Sequence, residues 1–343
     1  MKKFGALCIK KAKISILLLC IAILGFSVGC GGQASREPII DSGSVASDNR
    51  IDTNWPTRPV TIVVPFPAGG DTDFYARTYA RFLEESLGQP FEVVNMVGEG
   101  GNYGATHVRD LTPDGYTLLL FHTGQLFSNL ITGASTLSYN DFAISNIANF
   151  DDATTLIAGA HMDITSAADF LYQARANPGQ FRVAVIMNGF THFVLQGMEH
   201  AGGFSVTPVG VAGAGVMAQA IMDGEADFAV GIHALFRDGI ERGDFVPLMV
   251  NAERRNPNFR YVATVEDMGL TGSAMGSAYF FAFPPQTDEA ILHRMSDTIA
   301  QIQFNEEYIS AIQDAFDARP FFLPTPAVDG FLQEMWDMMN RLG

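Results

Sequence analysis

Residues 60–87, VTIVVPFPAGGDTDFYARTYARFLEESL, constrain this chain more than any other stretch. The run of Val and Ile between Pro59 and Pro65 fits a short strand buried on both faces. Tyr75, Tyr79, Phe82 and Leu83 then recur three or four residues apart, the spacing of one apolar helix face. Asp71 or Thr72 is placed to cap that helix, Asp73 falls in its first turn, and Gly88 with Pro90 ends it. Between strand and helix lie Pro67, Ala68, Gly69 and Gly70, a loop almost without side chains. Backbone N–H groups in such a loop can receive an anion without an arginine. A tight strand-to-helix turn needs glycine for its dihedrals in any case, and these residues alone leave both readings open.

The amino-terminus directs the chain out of the cytoplasm. Lys2, Lys3, Lys10, Lys11 and Lys13 form a basic region, and residues 14–26 form an apolar core too short for a comfortable membrane span. Ser27-Val28-Gly29-Cys30 is similar to the box at which lipoproteins are cut and acylated, which marks Cys30 for lipidation. Simple secretion and an uncleaved anchor are the alternatives, and both also leave the globular part outside. Residues 1–29 are therefore expected to be a signal peptide and residues 30–54, rich in Ser, Gly, Asp and Asn, a flexible tether. The three cysteines are Cys8, Cys20 and Cys30, so no thiol after residue 30 can form a disulfide, ligate zinc or act as a nucleophile.

All five lysines fall within the first thirteen residues. Beyond residue 29 the balance is sixteen Arg against 37 Asp and Glu, a net charge of −21. Such a surface argues against nucleic acid as a partner, since phosphate contacts need clustered cations. It leaves a small anion possible, because local dipoles in a cleft act at closer range than net charge. The acidity also fits mere solubility or a saline habitat.

Roughly 290 residues beyond the tether suffice for two domains of ordinary size. Strand-like runs at 60–65, 91–94, 116–121, 144–148, 154–159, 182–186, 204–209, 228–231 and 245–250 alternate with helical periodicity. The helices are expected near 72–87, 104–111, 166–176, 191–201, 213–223, 288–303, 305–317 and 326–341. The alternation predicts an α/β fold with parallel sheets covered by helices.

VTIVVPFPAGGDTDFYAR, LGQPFEVVNMVGEGGNYGA, PDGYTLLL and GFTHFVLQGMEHAGGFSVTPVGVAGAGVMAQAIMDGEADFAVG occur in that order. Together they resemble the solute-binding proteins of tripartite tricarboxylate transporters, the Bug or TctC family. The resemblance spans roughly 55–343 and weakens after about residue 250. It implies a two-lobed, periplasmic-binding-protein-like clamshell of type II with a hinge between lobes. One lobe would comprise 55–151 plus 276–343 and the other 152–275, with crossings near Phe150–Thr154 and Ser273–Tyr279. It further implies a monomer without cofactor or metal that captures a small carboxylate, a di- or tricarboxylate or related organic acid. The closed form would be recognised by membrane permease subunits.

Each motif carries its own expectation. Ligand contacts are placed at Pro67, Ala68, Gly69, Gly70, Asp71 and Thr72, with the backbone N–H donors at Ala68–Thr72. Gly98–Gly104 does not fit GxGxxG and no GxxxxGK occurs, so nucleotide binding is not indicated; Asn102 of this loop contacts the solute or only shapes a turn. His122-Thr123-Gly124-Gln125 follows a strand at its carboxyl end, where open α/β sheets bind ligands. His122 and Gln125 depart from the family pattern, while Thr123 supplies a hydroxyl. Asn188-Gly189-Phe190-Thr191-His192 opens a helix in the second lobe, with Asn188, Phe190 and Thr191 on the solute and His192 either buried and neutral or in contact. Gly213 belongs to a further glycine-rich loop, and Asp227 reads as structural. Phe66, Phe127, Phe190 and Tyr279 are candidates to close over an apolar part of the solute, though core packing is the default for each. Neither HExxH nor GxSxG is present. An enzyme is thus a weaker reading than a solute-binding protein, and a sensory or structural lipoprotein with the same clamshell is the main alternative.

Overall fold

The computed structural model describes residues 54–341. The expected signal peptide, the acylation site at Cys30 and the tether up to residue 53 lie outside the described residues. Among the described residues no helix is long and apolar enough to cross a membrane.

The strands build two six-stranded sheets. β1 (Val60–Val64), β2 (Phe91–Asn95), β3 (Thr117–His122) and β4 (Ala143–Asp151) belong to the first. The chain then enters the second sheet through β5 (Thr154–Gly159), β6 (Arg182–Val185), β7 (Thr207–Gly210), β8 (Phe228–Ile232), β9 (Phe245–Val250) and β10 (Ala263–Thr264). It returns to the first with β11 (Ser277–Phe283) and β12 (Leu323–Pro324). The orders are β12-β4-β11-β3-β1-β2 and β10-β9-β5-β8-β6-β7. The molecule is a two-lobed α/β clamshell with one sheet at the centre of each lobe.

The expectation of parallel sheets is corrected: both are mixed. β1 pairs in parallel with β2 and β3, as β6 does with β7 and β8. β11 runs antiparallel to β3 and β4, and β5 antiparallel to β8 and β9. The reason is the route of the chain. β4 ends at the first crossing, so it and the strands parallel to it, β1, β2 and β3, run toward the interlobe side. β5 and β11 are the first strands after a crossing, so they start at that side and run away from it.

The helices are α1 (Asp71–Leu87), α2 (Asn102–Arg109), α3 (Thr123–Ile131), α4 (Ala167–Ala176), α5 (Phe190–Gly202), α6 (Met217–Met222), α7 (Arg237–Arg242), α8 (Glu289–Ile302), α9 (Glu306–Phe316) and α10 (Thr325–Asn340). α1 buries Tyr75, Ala76, Tyr79, Ala80, Phe82 and Leu83 and ends at Gly88 in the left-handed region (φ 75°), as its spacing and terminal glycine predict. Its N-cap is Gly70, with no side-chain cap, so neither Asp71 nor Thr72 fills that role. The Tyr79 hydroxyl donates to Ala148 O at 2.7 Å and meets Tyr308 Oη, while Gln303 Nε2 donates to it at 2.9 Å. These bonds satisfy the one polar atom of a fully buried ring and tie α1 to β4 and the carboxy-terminal helices.

The expected elements do not include β10, β11, β12, α3 and α7. β11 (SAYFFAF) is buried along its whole length, so it shows neither alternation nor helical period. α3 hides behind Thr123-Gly124-Gln125, which reads as a loop.

The second crossing is sterically tight. A Cβ on Gly276, just before β11, would lie 1.9 Å from Phe150 Cζ, and that ring is held against Phe321 at 5.3 Å. Gly276→Ala should therefore lower unfolding free energy by about 1–3 kcal/mol in a urea titration. Gly330→Ala, in α10 with open space around it, should be neutral or stabilising by up to about 1 kcal/mol. Equal stability of Gly276→Ala and wild type would contradict this account of the crossing.

Candidate functional site

Three neighbouring strands of the first sheet, β2, β1 and β3, end on the same side. Their following loops, 96–101, 65–70 and the turn at His122, therefore gather at one edge, where open α/β sheets present ligand sites. In the second sheet β6 and β7 are parallel neighbours, which brings 186–189 together with 211–216. Sheet order thus groups residues that the sequence separates by tens of positions.

The loop before α1 is held by an acid. Asp73 Oδ2 accepts the Gly69 N–H at 2.9 Å and Arg77 Nε at 3.0 Å, and Asn95 Nδ2 donates to Asp73 Oδ1 at 2.9 Å. Asn95 also reaches back to Phe66 O at 2.9 Å. Burial works against the Asp73 charge, but Arg77 and these N–H donors outweigh it and hold its carboxyl below the usual range. The Gly69 amide is taken up by this clamp. Thr72 is fully buried, and its N–H donates to Asp71 Oδ1 at 2.8 Å. The N–H groups of Ala68, Gly70 and Asp71 have no acceptor among the described residues, and Pro67, Ala68 and Gly70 are exposed. Gly69 sits at φ 84°, where glycine is needed, whereas Gly70 (φ −81°) would meet only Pro67 O at 3.6 Å if it carried a Cβ.

His122 is the N-cap of α3. Its Nδ1 accepts the Gln125 N–H at 3.2 Å and lies 3.1 Å from Ser277 Oγ, which itself accepts the Gly124 N–H at 3.2 Å. The ring stacks on Phe66 (5.0 Å) and approaches Tyr279 (5.4 Å). Burial pushes its pKa down to about 4, against the pull of Asp71, so the imidazole is neutral at physiological pH. Thr123 is fully buried; its hydroxyl accepts the Ala278 N–H at 2.9 Å and faces Met335 Sδ. That hydroxyl secures α3 to β11. Asn102 is likewise engaged inside the lobe: its Oδ1 accepts from Asn129 Nδ2 at 3.1 Å, and Asn129 also donates to Gly100 O at 2.9 Å.

In the second lobe Asn188 is exposed in the left-handed region (φ 59°) and its N–H donates to His192 Nδ1 at 3.2 Å. His192 therefore braces the turn, and burial lowers its pKa. Thr191 is 9% exposed, and its hydroxyl accepts the Ile186 N–H at 2.9 Å, leaving its own proton free to donate. The N–H groups of Phe190 and Thr191, in the first turn of α5, have no acceptor among the described residues. Gly213 is extended (φ 176°) with nothing within 4 Å of an added Cβ. Asp227 binds Arg182 at 2.6 Å and is structural. Phe127 belongs to the core, against Tyr139 and Trp336.

The two lobes touch at the starts of α3 and α5. A Cβ on Gly124 would fall 2.7 Å from Phe190 Cγ, and one on Gly189 3.1 Å from Gln125 Oε1. Contact this close needs glycine on each side. Tyr279, Ser277 and Asp73 are the site residues whose parts the sequence does not disclose. The hydroxyl of Tyr279 donates to Asp71 Oδ2 at 2.5 Å across 208 positions, a pairing that no local pattern signals. A groove of about 440 Å³ lies elsewhere, lined by Glu253, Arg254, Glu266, Thr271 and Met338 among others. Among the described residues no group of three or more His, Cys, Asp or Glu is placed to hold a metal ion.

Residues 75–341 match the family model described as the tripartite tricarboxylate transporter family receptor, TctC. Protein BugT of Bordetella pertussis is 24% identical over 299 residues, covering 86% of this chain and 91% of its own. A TctC solute-binding protein from Polaromonas superposes with a TM-score of 0.69 at 24% identity, covering 84% of this chain and 98% of its own. MatC from Rhodopseudomonas palustris, solved with bound malate, superposes with a TM-score of 0.72 at 23% identity, over 84% of this chain and 99% of its own. The chain belongs to this receptor family of solute-binding proteins.

Asp151, the last residue of β4, stands where the chain leaves for the second sheet. It accepts the Ala153 N–H at 2.8 Å and the Thr154 hydroxyl at 2.9 Å beside a cavity of about 10 Å³ lined also by Tyr75, Ile232 and Tyr279. Burial outweighs those bonds and, with Asp152 and Asp71 adding repulsion, pushes its pKa up to about 6. A folded pKa above the unfolded value means that the protonated form favours folding, and this contribution fades as pH rises through about 6. Asp151→Asn should then be more stable than wild type by on the order of 1–3 kcal/mol at pH 7.5. The advantage should vanish near pH 4 in paired thermal melts. A pH-independent difference between the two proteins would refute the buried-carboxylate account.

Proposed function

We propose that this family member captures a small organic acid between its lobes and delivers it to a membrane permease of the tripartite tricarboxylate type. The observation that carries the reading is two sets of backbone N–H groups without an acceptor among the described residues: those of Ala68, Gly70 and Asp71 in one lobe and those of Phe190 and Thr191 in the other. Such donors at helix starts suit a carboxylate, and Thr191 adds a hydroxyl proton. Gly70 and Gly213 support the same reading, since their backbone geometry would accept alanine and their surroundings leave room for a guest. Malate in MatC is an acid of this kind.

Residues 55–151 with 276–343 then move as one body against 152–275, about the crossings at 151–154 and 265–276. The acid binds both lobes, and its preference for the closed form shifts the population toward it. Ordered waters bridge some contacts. The protein acts outside the cytoplasm, held to a membrane by lipid on Cys30, as a monomer without cofactor. A sensory lipoprotein would share the same cleft, and the presence of permease genes beside this one separates the two.

Thermal melting over mono-, di- and tricarboxylates, aromatic acids and amino acids tests the reading. A true solute at a hundred times its dissociation constant should add about 2.7 kcal/mol of apparent stability. Gly70→Val should keep the unliganded melting temperature and lose that increment. Absence of any shift across the acids would overturn the carboxylate reading, and an undiminished shift in Gly70→Val would move the site.

A further inference from the structure

The cavity beside the first crossing has no part in the solute reading, since none of its residues carries one of the unpaired amides of the two lobes. Its volume of about 10 Å³ suits a single water-sized guest. Four elements meet there: Tyr75 lies in α1, Asp151 ends β4, Ile232 ends β8 of the second sheet and Phe316 ends α9.

The electrostatics around the cavity have one sign. Asp151 forms no ion pair among the described residues, and its oxygens accept only the Ala153 N–H at 2.8 Å and the Thr154 hydroxyl at 2.9 Å. Asp152 and Asp71 add their repulsion to it. The one guanidinium at this point, from Arg319, is engaged by Asp152 at 2.6 Å. Because Phe316 is the last residue of α9, the negative end of that helix borders the same space. A carboxylate left uncompensated in an interior is costly, and it is relieved by taking up a proton or by holding a cation.

Tyr75 is a second and independent sign of a guest. It is 3% exposed, and its ring packs against Tyr279 at 4.9 Å and Phe316 at 5.5 Å. Its hydroxyl has no hydrogen-bond partner among the described residues, although buried polar groups are ordinarily paired. Burial, and after it the charge of Asp151, push the Tyr75 pKa well up. The hydroxyl therefore stays neutral, close enough to feel that carboxylate, with oxygen lone pairs to offer.

We propose that this cavity binds one alkali cation, sodium or potassium, with Asp151 supplying the charge and the Tyr75 hydroxyl a neutral oxygen ligand. A divalent ion does not suit a site with one uncompensated carboxylate; calcium takes roughly six to eight oxygens, several of them charged. A bridging water would fill the same volume but leave the Asp151 charge without an offset.

Thermal melting of the full-length protein at pH 7.5 tests this, with choline chloride exchanged for sodium or potassium chloride at constant ionic strength. Choline is too large for the cavity. At least one alkali ion should raise the wild-type Tm saturably, by about 2 °C or more. Asp151→Asn should lose that rise, so its advantage over wild type should be greatest in choline and narrow as the alkali ion is added. Tyr75→Phe should keep the ring packing and need at least about threefold more salt for a half-maximal rise. Equal wild-type Tm in all three salts means that the cavity holds water alone and overturns the proposal. An undiminished rise in Asp151→Asn places the ion elsewhere and also overturns it, as does an unaltered half-point in Tyr75→Phe. A larger rise with calcium chloride at the same concentration overturns the monovalent assignment. Should one variant fail to fold, the salt series on wild type and the other variant still separates these outcomes.

Discussion

One buried carboxylate orders the part of the molecule on which everything else depends. Asp73 takes the Gly69 N–H, and through Asn95 it also fixes the carbonyl of Phe66. The loop between β1 and α1 is thereby held in a single shape by an internal anion, whose charge Arg77 offsets. That shape leaves the neighbouring amides of Ala68 and Gly70 without partners among the described residues. Unpaired backbone donors are costly unless water or a guest satisfies them. Under the proposed function the clamp makes this strand-to-helix turn a receiving surface prepared before the solute arrives, which would reduce the ordering cost of binding.

Topology supplies the second half of the surface. Because β1, β2 and β3 run side by side, their loops share an edge, and β6 with β7 repeats the arrangement in the other lobe. β5 and β11, each entered from a crossing, reverse direction, and the short edge strand β12 runs with β11. β11 lies at the middle of its sheet, and from it Ser277 and Tyr279 reach the starts of α3 and α1. The returning strand thus does more than close the sheet. It braces His122 and Asp71, so the cleft floor and the interlobe connection are parts of one structure. Gly124 against Phe190 shows how near the lobes approach.

How much of this is readable from residues alone follows from how local each cause is. The unit from β1 to α1 is expected at 60–65 and 72–87 and occurs at 60–64 and 71–87, because apolar spacing, glycine and proline act over a few residues. Mixed strand direction is not readable, since it depends on where the chain crosses between lobes. β11 leaves no trace in the pattern because both its faces are buried, which erases periodicity. The glycine loops stand out, but the division of labour within them does not. Gly69 must be glycine for the fold and Gly70 need not be, a difference visible only in a hydrogen bond and a dihedral. Thr123 reads as a donor to the solute, yet its hydroxyl is engaged by the Ala278 N–H, 155 positions away.

The central claim is that the free amides of opposing loops close on the negative end of a small solute. Nitrogen-15 nuclear magnetic resonance of the amides during titration with a bound acid measures this directly. Gly70, Phe190 and Thr191 should shift together and become protected from hydrogen exchange at saturation, while Gly69, already bonded to Asp73, should change least among the loop amides. Saturable binding that leaves Gly70 and Thr191 unperturbed would contradict the account.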